Sequence, residues 1–258
     1  MENNQVLLTD RSNSSVSLIV NKSGTYLWIK RLVDILFAAS VLLVSAPLIV
    51  LSTIAVKLTS NGPAFYRAQR AGLGGRPFYM LKIRTMYIGT DTTDRRVTAA
   101  QDERITTVGK LLRKFKIDEL PQLWNVLRGE MSIIGPRPED YNIVKQHFTA
   151  EQRRTLTVRP GIASPADVRW YPDLTYHDPP CNGISMQEWY LERHLPLQLA
   201  EGLRYVDQQC FLLDLKVLMQ TVFCVLVRSW LRPKRRHLEQ LSTSILDDNA
   251  HYVDNQGV

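Results

Sequence analysis

The sequence predicts an α+β chain that is mainly α, with one apolar membrane helix, interfacial amphipathic helices and a small β-hairpin. Three observations carry this reading. The run from Ile35 to Val56 contains no charged residue. Apolar residues recur at helical spacing at Leu120, Leu123, Trp124 and Leu127, and bulky apolar residues interleave with Lys and Arg between Lys110 and Lys116. Between Pro63 and Arg84, two apolar and aromatic segments flank Gly72, Gly74 and Gly75, the pattern of two strands around a turn.

The elements follow in chain order. Residues 1–25 are polar and lack a periodic apolar pattern, which predicts a mobile tail. Residues 26–60 hold the membrane element. As a straight helix the Ile35–Val56 run is about 33 Å long, enough for a hydrocarbon layer of roughly 30 Å. It is too long, and too far from the N-terminus, for a secretory signal. Lys22, Lys30 and Arg31 precede it while Lys57, Arg67, Arg70 and Arg76 follow, so both flanks carry the positive charge of cytoplasmic loops. Pro47 removes a helical hydrogen bond in the middle of the run, and Ser45 and Ser52 are placed to satisfy freed backbone groups. Two arrangements fit these facts: a helix-break-helix that enters and leaves by one face, and a kinked single crossing.

The glycines at 72, 74 and 75 lack the Lys-Ser/Thr of a phosphate-cradling loop and read as turn residues. The Thr-, Asp- and Arg-rich stretch from Tyr87 to Asp102 predicts a surface loop. Lys110–Lys116 has an interfacial pattern, although an ordinary amphipathic core helix explains it too. Next come Asp118 and Glu119, where a short helix should begin. Asp118 has the acceptor side chain of an N-cap, Pro121 suits a first turn, and Gly129 stops the helix. A helix N-terminus presents free N–H groups and partial positive charge, so phosphate chemistry beside an ionised Asp118 is reasonable; plain capping accounts for the same residues.

With 258 residues, 45% apolar and 22% charged, the chain suits one sizeable core and excludes low-complexity or fibrous classes. A net charge of +7 favours an anionic partner, either a bilayer surface, a phosphorylated substrate or a nucleic acid. No nucleic-acid module is recognisable, and the aromatics lie near apolar segments. Cys181, Cys210 and Cys224 are too scattered for a disulfide framework or a zinc site, which fits a reducing cytoplasm. The histidines are equally scattered, so metal binding rests on carboxylate and phosphate oxygens.

Several blocks occur together in one order: Arg31-Leu-Val-Asp34, Gly62-Pro63, Gln69-Arg70-Ala-Gly72, Lys82-Ile-Arg84-Thr85-Met86, Asp118-Glu119-Leu-Pro121-Gln, Gly135-Pro136-Arg137-Pro138, Arg159-Pro160-Gly161, then Tyr205, Asp214-Leu215 and Thr221-Val222. Over roughly residues 30–225 the chain thereby resembles the bacterial sugar transferases, monotopic phosphoglycosyl transferases that act on a polyprenol phosphate. One stretch departs: many members continue Pro-Gly-Ile with Thr-Gly-x-Ala-Gln, whereas Ala163-Ser164-Pro165-Ala166-Asp167 stands here. The resemblance implies the re-entrant, proline-broken membrane helix hairpin, with the break at Pro47, although Ala46 replaces the Ser that usually precedes that proline. It divides the chain into a tail (1–25), the membrane element (26–60), a catalytic domain on the cytoplasmic face of the bacterial inner membrane (61–228), and a basic, then polar, C-terminal tail (229–258). Arg and Lys are dense from Arg228 to Arg236, as expected of a segment touching anionic headgroups.

The resemblance further implies transfer of a phospho-sugar from a nucleotide sugar, expected to be a UDP-sugar, to a polyprenol phosphate, expected to be undecaprenyl phosphate, initiating glycoconjugate or exopolysaccharide synthesis. It implies Mg2+ and an aspartyl-phosphate-sugar intermediate. Asp118 is then the nucleophile and a metal contact, and Glu119 a supporting carboxylate. An unperturbed Asp titrates near 4 and would be ionised without help. Candidate phosphate-binding cations are Arg84, Arg113 and Arg137, the last biased to an extended backbone by Pro138. The competing reading is a non-catalytic membrane-surface scaffold that binds acidic lipids through its basic face. The sequence leaves the sugar and the oligomeric state open.

Overall fold

A computed structural model describes residues 6–8, 16–18, 24–89, 102–170 and 185–225. Helix α1 (Gly24–Thr59) is the long apolar element, and helical pairing continues through Pro47. Only 11% of its most apolar window is buried, so it is not the core helix of the body beside it. Its hydroxyls bond its own backbone: Ser40, Thr53 and Thr59 donate to the carbonyls of Leu36, Ile49 and Ala55 at 2.7–2.8 Å. Ser45 donates to Leu42 O at 3.4 Å rather than to the Leu43 carbonyl that Pro47 frees, and Ser52 is buried.

Strands β3 (Phe65–Ala71) and β4 (Pro77–Ile83) form the expected antiparallel hairpin, with Phe65 opposite Ile83 and Ala71 opposite Pro77. The connection holds Gly74 and Gly75 at φ +66° and +73°, where a side chain would be strained. Within residues 1–25, β1 (Val6–Leu8) and β2 (Val16–Leu18) pair antiparallel. They are triplets, Val-Leu-Leu and Val-Ser-Leu, too short to stand out as strands in the sequence. The Arg228–Arg236 run, residues 229–258 and most of the Tyr87–Asp102 loop lie outside the described residues.

Helix α2 (Thr107–Lys114) starts at Thr106, whose Oγ1 accepts from Gly109 N at 2.9 Å. A Cβ at Gly109 would collide with the Thr85 carbonyl, so glycine lets α2 lie against the chain leaving β4. Helix α3 (Gln122–Arg128) ends at Gly129 with φ +82°, as read from the sequence. The Asn125 side chain, 1% exposed, ties α3 to the hairpin: it accepts from Leu81 N at 3.0 Å and donates to Tyr79 O at 2.8 Å. Parallel strands β5 (Ser132–Ile134) and β6 (Gly161–Ala163) frame α4 (Tyr141–His147), and α5 (Pro165–Trp170), α6 (Met186–Trp189), α7 (Leu195–Gln208) and α8 (Phe211–Phe223) complete the described chain.

Both halves of α1 belong to the cores. Ala38, fully buried, packs with Leu123, Val126, Met131 and Val217, while Val56 packs with Ile83 and Leu112. Polar contacts fasten the same two ends. Arg31 donates to Val126 O and Leu127 O at 2.7 and 3.2 Å, capping the C-terminus of α3. Asp34 accepts from Ser132 Oγ at 2.7 Å and Ile133 N at 3.2 Å. Beyond residue 59, Arg84 donates to Ser60 O at 2.9 Å and Ser60 Oγ at 2.8 Å, and to Asn61 O.

Candidate active site

The chain reaches Asp118 by a reversal. After α2, Lys116 adopts φ 57°, ψ 21°, the one left-handed non-glycine among the described residues. That turn sets Ile117–Glu119 into a short 3-10 helix, closed by Glu119 N donating to Lys116 O at 3.2 Å. Pro121, not Asp118, occupies the N-cap of α3. The capping role expected of Asp118 is therefore corrected, and with it the helix-terminus phosphate site: α3 has seven residues and starts one turn later. Positive charge at this site comes from side chains instead.

Asp118 is 5% exposed, and its Oδ1 is buried without a hydrogen-bond partner. Burial and the neighbouring Glu119 charge raise its pKa, against the pull of Lys82, Lys116 and Arg113. The Asp118 carboxyl therefore titrates above the ordinary value expected of it. Glu119 behaves oppositely. Burial works against its charge, but Lys116, Lys82 and Arg137 outweigh it and hold the carboxyl far below the usual range. Lys82 Nζ donates to Glu119 Oε1 at 2.9 Å, and Lys116 Nζ lies 3.7 Å from the same oxygen. So the adjacent carboxylates divide the work: Glu119 stays charged and organises lysines, while Asp118 keeps an unsatisfied oxygen.

Two of the three arginines singled out from the sequence act electrostatically on this pair. Arg113 feels both Asp118 and Glu119, and its Nε donates to Thr85 Oγ1 at 2.8 Å. Arg137 is held strongly protonated, first by Asp167 and also by Glu119, and donates to Asp167 Oδ1 at 2.7 Å. Arg84 is placed elsewhere. Its terminal nitrogens cap the carbonyls that follow α1, at 7% exposure, in place of the phosphate contact expected of it. Pro47 lies on α1 and joins no contact of the site.

Sequence reasoning passed over Lys82, Lys116 and Asp167. Lys82 was visible in the Lys-x-Arg block, where attention went to Arg84; Lys116 closed the basic run read as interfacial, and Asp167 stood in the departing 163–167 stretch, neither with a role of its own. The loop that carries Arg137 is fixed by close backbone contact, since a Cβ on Gly135 would strike Arg159 O, and one on Gly161 would strike Gly135 N. Gly161 N donates to Pro136 O at 2.9 Å. Glu139 anchors the loop's far side, accepting from Gln198 Nε2 at 3.1 Å, from Asp140 N at 2.8 Å and from the Tyr190 hydroxyl.

A divalent cation suits these residues. A buried carboxylate oxygen lacking a partner is the donor such an ion takes, and its charge would favour ionised Asp118. No cluster of three His, Cys, Asp or Glu side chains able to hold a metal occurs among the described residues.

Cations acting on a buried carboxylate with an unpartnered oxygen, in a chain that also carries a largely uncovered apolar helix, suit transfer of a phosphorylated group at a membrane. The chain belongs to the bacterial sugar transferase family, whose description matches residues 25–228. It is 38% identical over 198 residues to the UDP-glucose:undecaprenyl-phosphate glucose-1-phosphate transferase of Caulobacter vibrioides, covering 75% of this chain and 68% of that protein. It is 41% identical over 203 residues to the sugar transferase EpsL of Bacillus subtilis, covering 77% and 88%. A UDP-glucose:undecaprenyl-phosphate glucose-1-phosphate transferase of Escherichia coli is 34% identical over 209 residues, covering 78% of this chain and 41% of a longer protein. Relatives named as transferases do not favour the scaffold reading.

Proposed function

We propose that this protein transfers a sugar 1-phosphate from a UDP-sugar to undecaprenyl phosphate at the cytoplasmic face of the inner membrane, with Asp118 as nucleophile. The observation that carries this reading is the unpartnered, buried Asp118 oxygen among Lys82, Lys116 and Arg113. In the first step a carboxylate oxygen attacks the sugar-bearing phosphorus. The O–P bond forms, the phosphoanhydride bond breaks, and UMP leaves with the electron pair. In the second step an oxygen of the lipid phosphate attacks the same phosphorus, the aspartyl–phosphorus bond breaks, and the carboxylate is restored. Lys82 and Lys116, held by Glu119, keep positive charge beside the reacting centre, and Arg113 and Arg137 meet diphosphate oxygens as charge spreads over them. Magnesium, held by the free Asp118 oxygen together with substrate phosphates and water, would neutralise diphosphate charge.

The re-entrant arrangement is supported by how α1 is fastened. Lys30 reaches Asp214 at 3.0 Å, Arg31 caps α3, and the Ser60 end is held by Arg84, all on one body. A crossing helix would set about 30 Å of hydrocarbon between those ends. The interfacial surface is supported by α8, which exposes Phe211, Leu212, Leu215 and Met219 and joins the exposed Trp28–Leu32 stretch through the Tyr26–Phe211 ring contact at 5.0 Å.

The test uses purified full-length protein with magnesium, undecaprenyl phosphate and a panel of nucleotide sugars. UMP release with one donor, together with a covalent phospho-sugar on the wild type that is absent in Asp118→Asn, is expected. Labelling that survives Asp118→Asn overturns the mechanism.

A further inference from the structure

Arg137 meets a carboxylate of its own chain at the rim of the site. Its Nη1 lies 2.7 Å from Asp167 Oδ1, with the side chains 41% and 29% exposed. Asp167 stands in the first turn of α5. Its charge also reaches Lys116, so it faces the cations that suit a diphosphate. A fixed carboxylate there repels phosphate oxygens and occupies a guanidinium donor that would otherwise bind them. An ion pair this exposed is weak, whereas a guanidinium binds phosphate through two parallel charge-assisted bonds, so exchange of one for the other is favourable.

We propose that Asp167 is a built-in competitor for the donor's phosphates: it holds Arg137 until the nucleotide sugar arrives, gives it up on binding, and thereby sets donor affinity. The inference rests on the phosphate role given to Arg137 above. Asp167 is in this sense a positioning and affinity-setting residue, not a catalytic one.

UDP with magnesium is the probe, titrated against the full-length protein in detergent as wild type, Asp167→Asn, Asp167→Ala and Asp167→Glu. Both neutral variants are expected to bind UDP about two- to fivefold more tightly, while Asp167→Glu, which keeps the charge, stays within about twofold of wild type. Melting temperatures check that each variant is folded; the exposed site makes large losses unexpected. Unchanged or weaker UDP binding by the neutral variants overturns the inference, because a carboxylate that merely aims Arg137, or itself contacts the ligand, gives that result. If the wild type fails to bind UDP, the nucleotide reading itself falls and this inference with it.

Discussion

Carboxylates appear in two settings in this protein, and the contrast separates fastening from chemistry. At the α1 end, Asp214 accepts from Tyr205 OH at 2.7 Å through Oδ1, and from Tyr26 OH and Lys30 Nζ at 3.0 Å through Oδ2. Asp34 likewise uses both oxygens, on Ile133 N and Ser132 Oγ. At the Asp118–Glu119 turn, Glu119 is paired with lysine, yet Asp118 Oδ1 is equally buried and has no partner. A buried polar atom without a partner is unfavourable, and among the described carboxylates Asp118 is the one that keeps such an atom. Satisfied acids lock α1 to the body, and the unsatisfied one is the carboxylate proposed above as the nucleophile.

Four substitutions probe that contrast. The largest effect is expected from Asp118→Asn, which lowers turnover by at least about a thousandfold in a UMP-release assay. The same change raises stability. Because the folded-state pKa of Asp118 is raised, its charge opposes folding above the unfolded-state pKa, and the opposition grows as pH rises through the folded value. The melting-temperature advantage of Asp118→Asn therefore widens from about pH 4 upward, and a constant gap counts against a desolvated acid. Asp34→Ala should do the reverse, removing about 3 kcal/mol, or some 6–12 °C of melting temperature, by stranding Ile133 N and leaving Ser132 Oγ only the Ile134 carbonyl.

Smaller effects sharpen the boundary between the settings. Arg84→Gln should lower stability by about 1–2 kcal/mol through loss of the cap after α1, with the donor KM unchanged within about twofold. A large KM increase would return Arg84 to the substrate. Glu119→Gln removes one of the charges that raise the Asp118 pKa, so the acid limb of the rate profile should move to lower pH. A limb displaced upward would mean that Glu119 lowers the Asp118 pKa.

What the sequence revealed followed range. The β3–β4 hairpin was legible because glycines at positive φ fall between two apolar segments, and the end of α3 because Gly129 is a local stop. The carboxylate pair was legible as a block, but its geometry was not, since the reversal at Lys116 places a non-glycine in a left-handed turn that no propensity favours. The setting of Arg84 was hidden for a different reason: its partners are mainly backbone atoms after α1, which a list of side chains does not display. The Tyr26–Lys30–Asp214 contact joins residues more than 180 positions apart, beyond any pattern of spacing. Asp167 meets Arg137 through a fold contact of the same kind.

Because Ala38 and Val56 are core residues as well as parts of the apolar segment, α1 contributes to two hydrophobic clusters of the body. A shortened chain that begins after Thr59, made to obtain a water-soluble enzyme, would open holes in two places at once and is expected to lose cooperative melting.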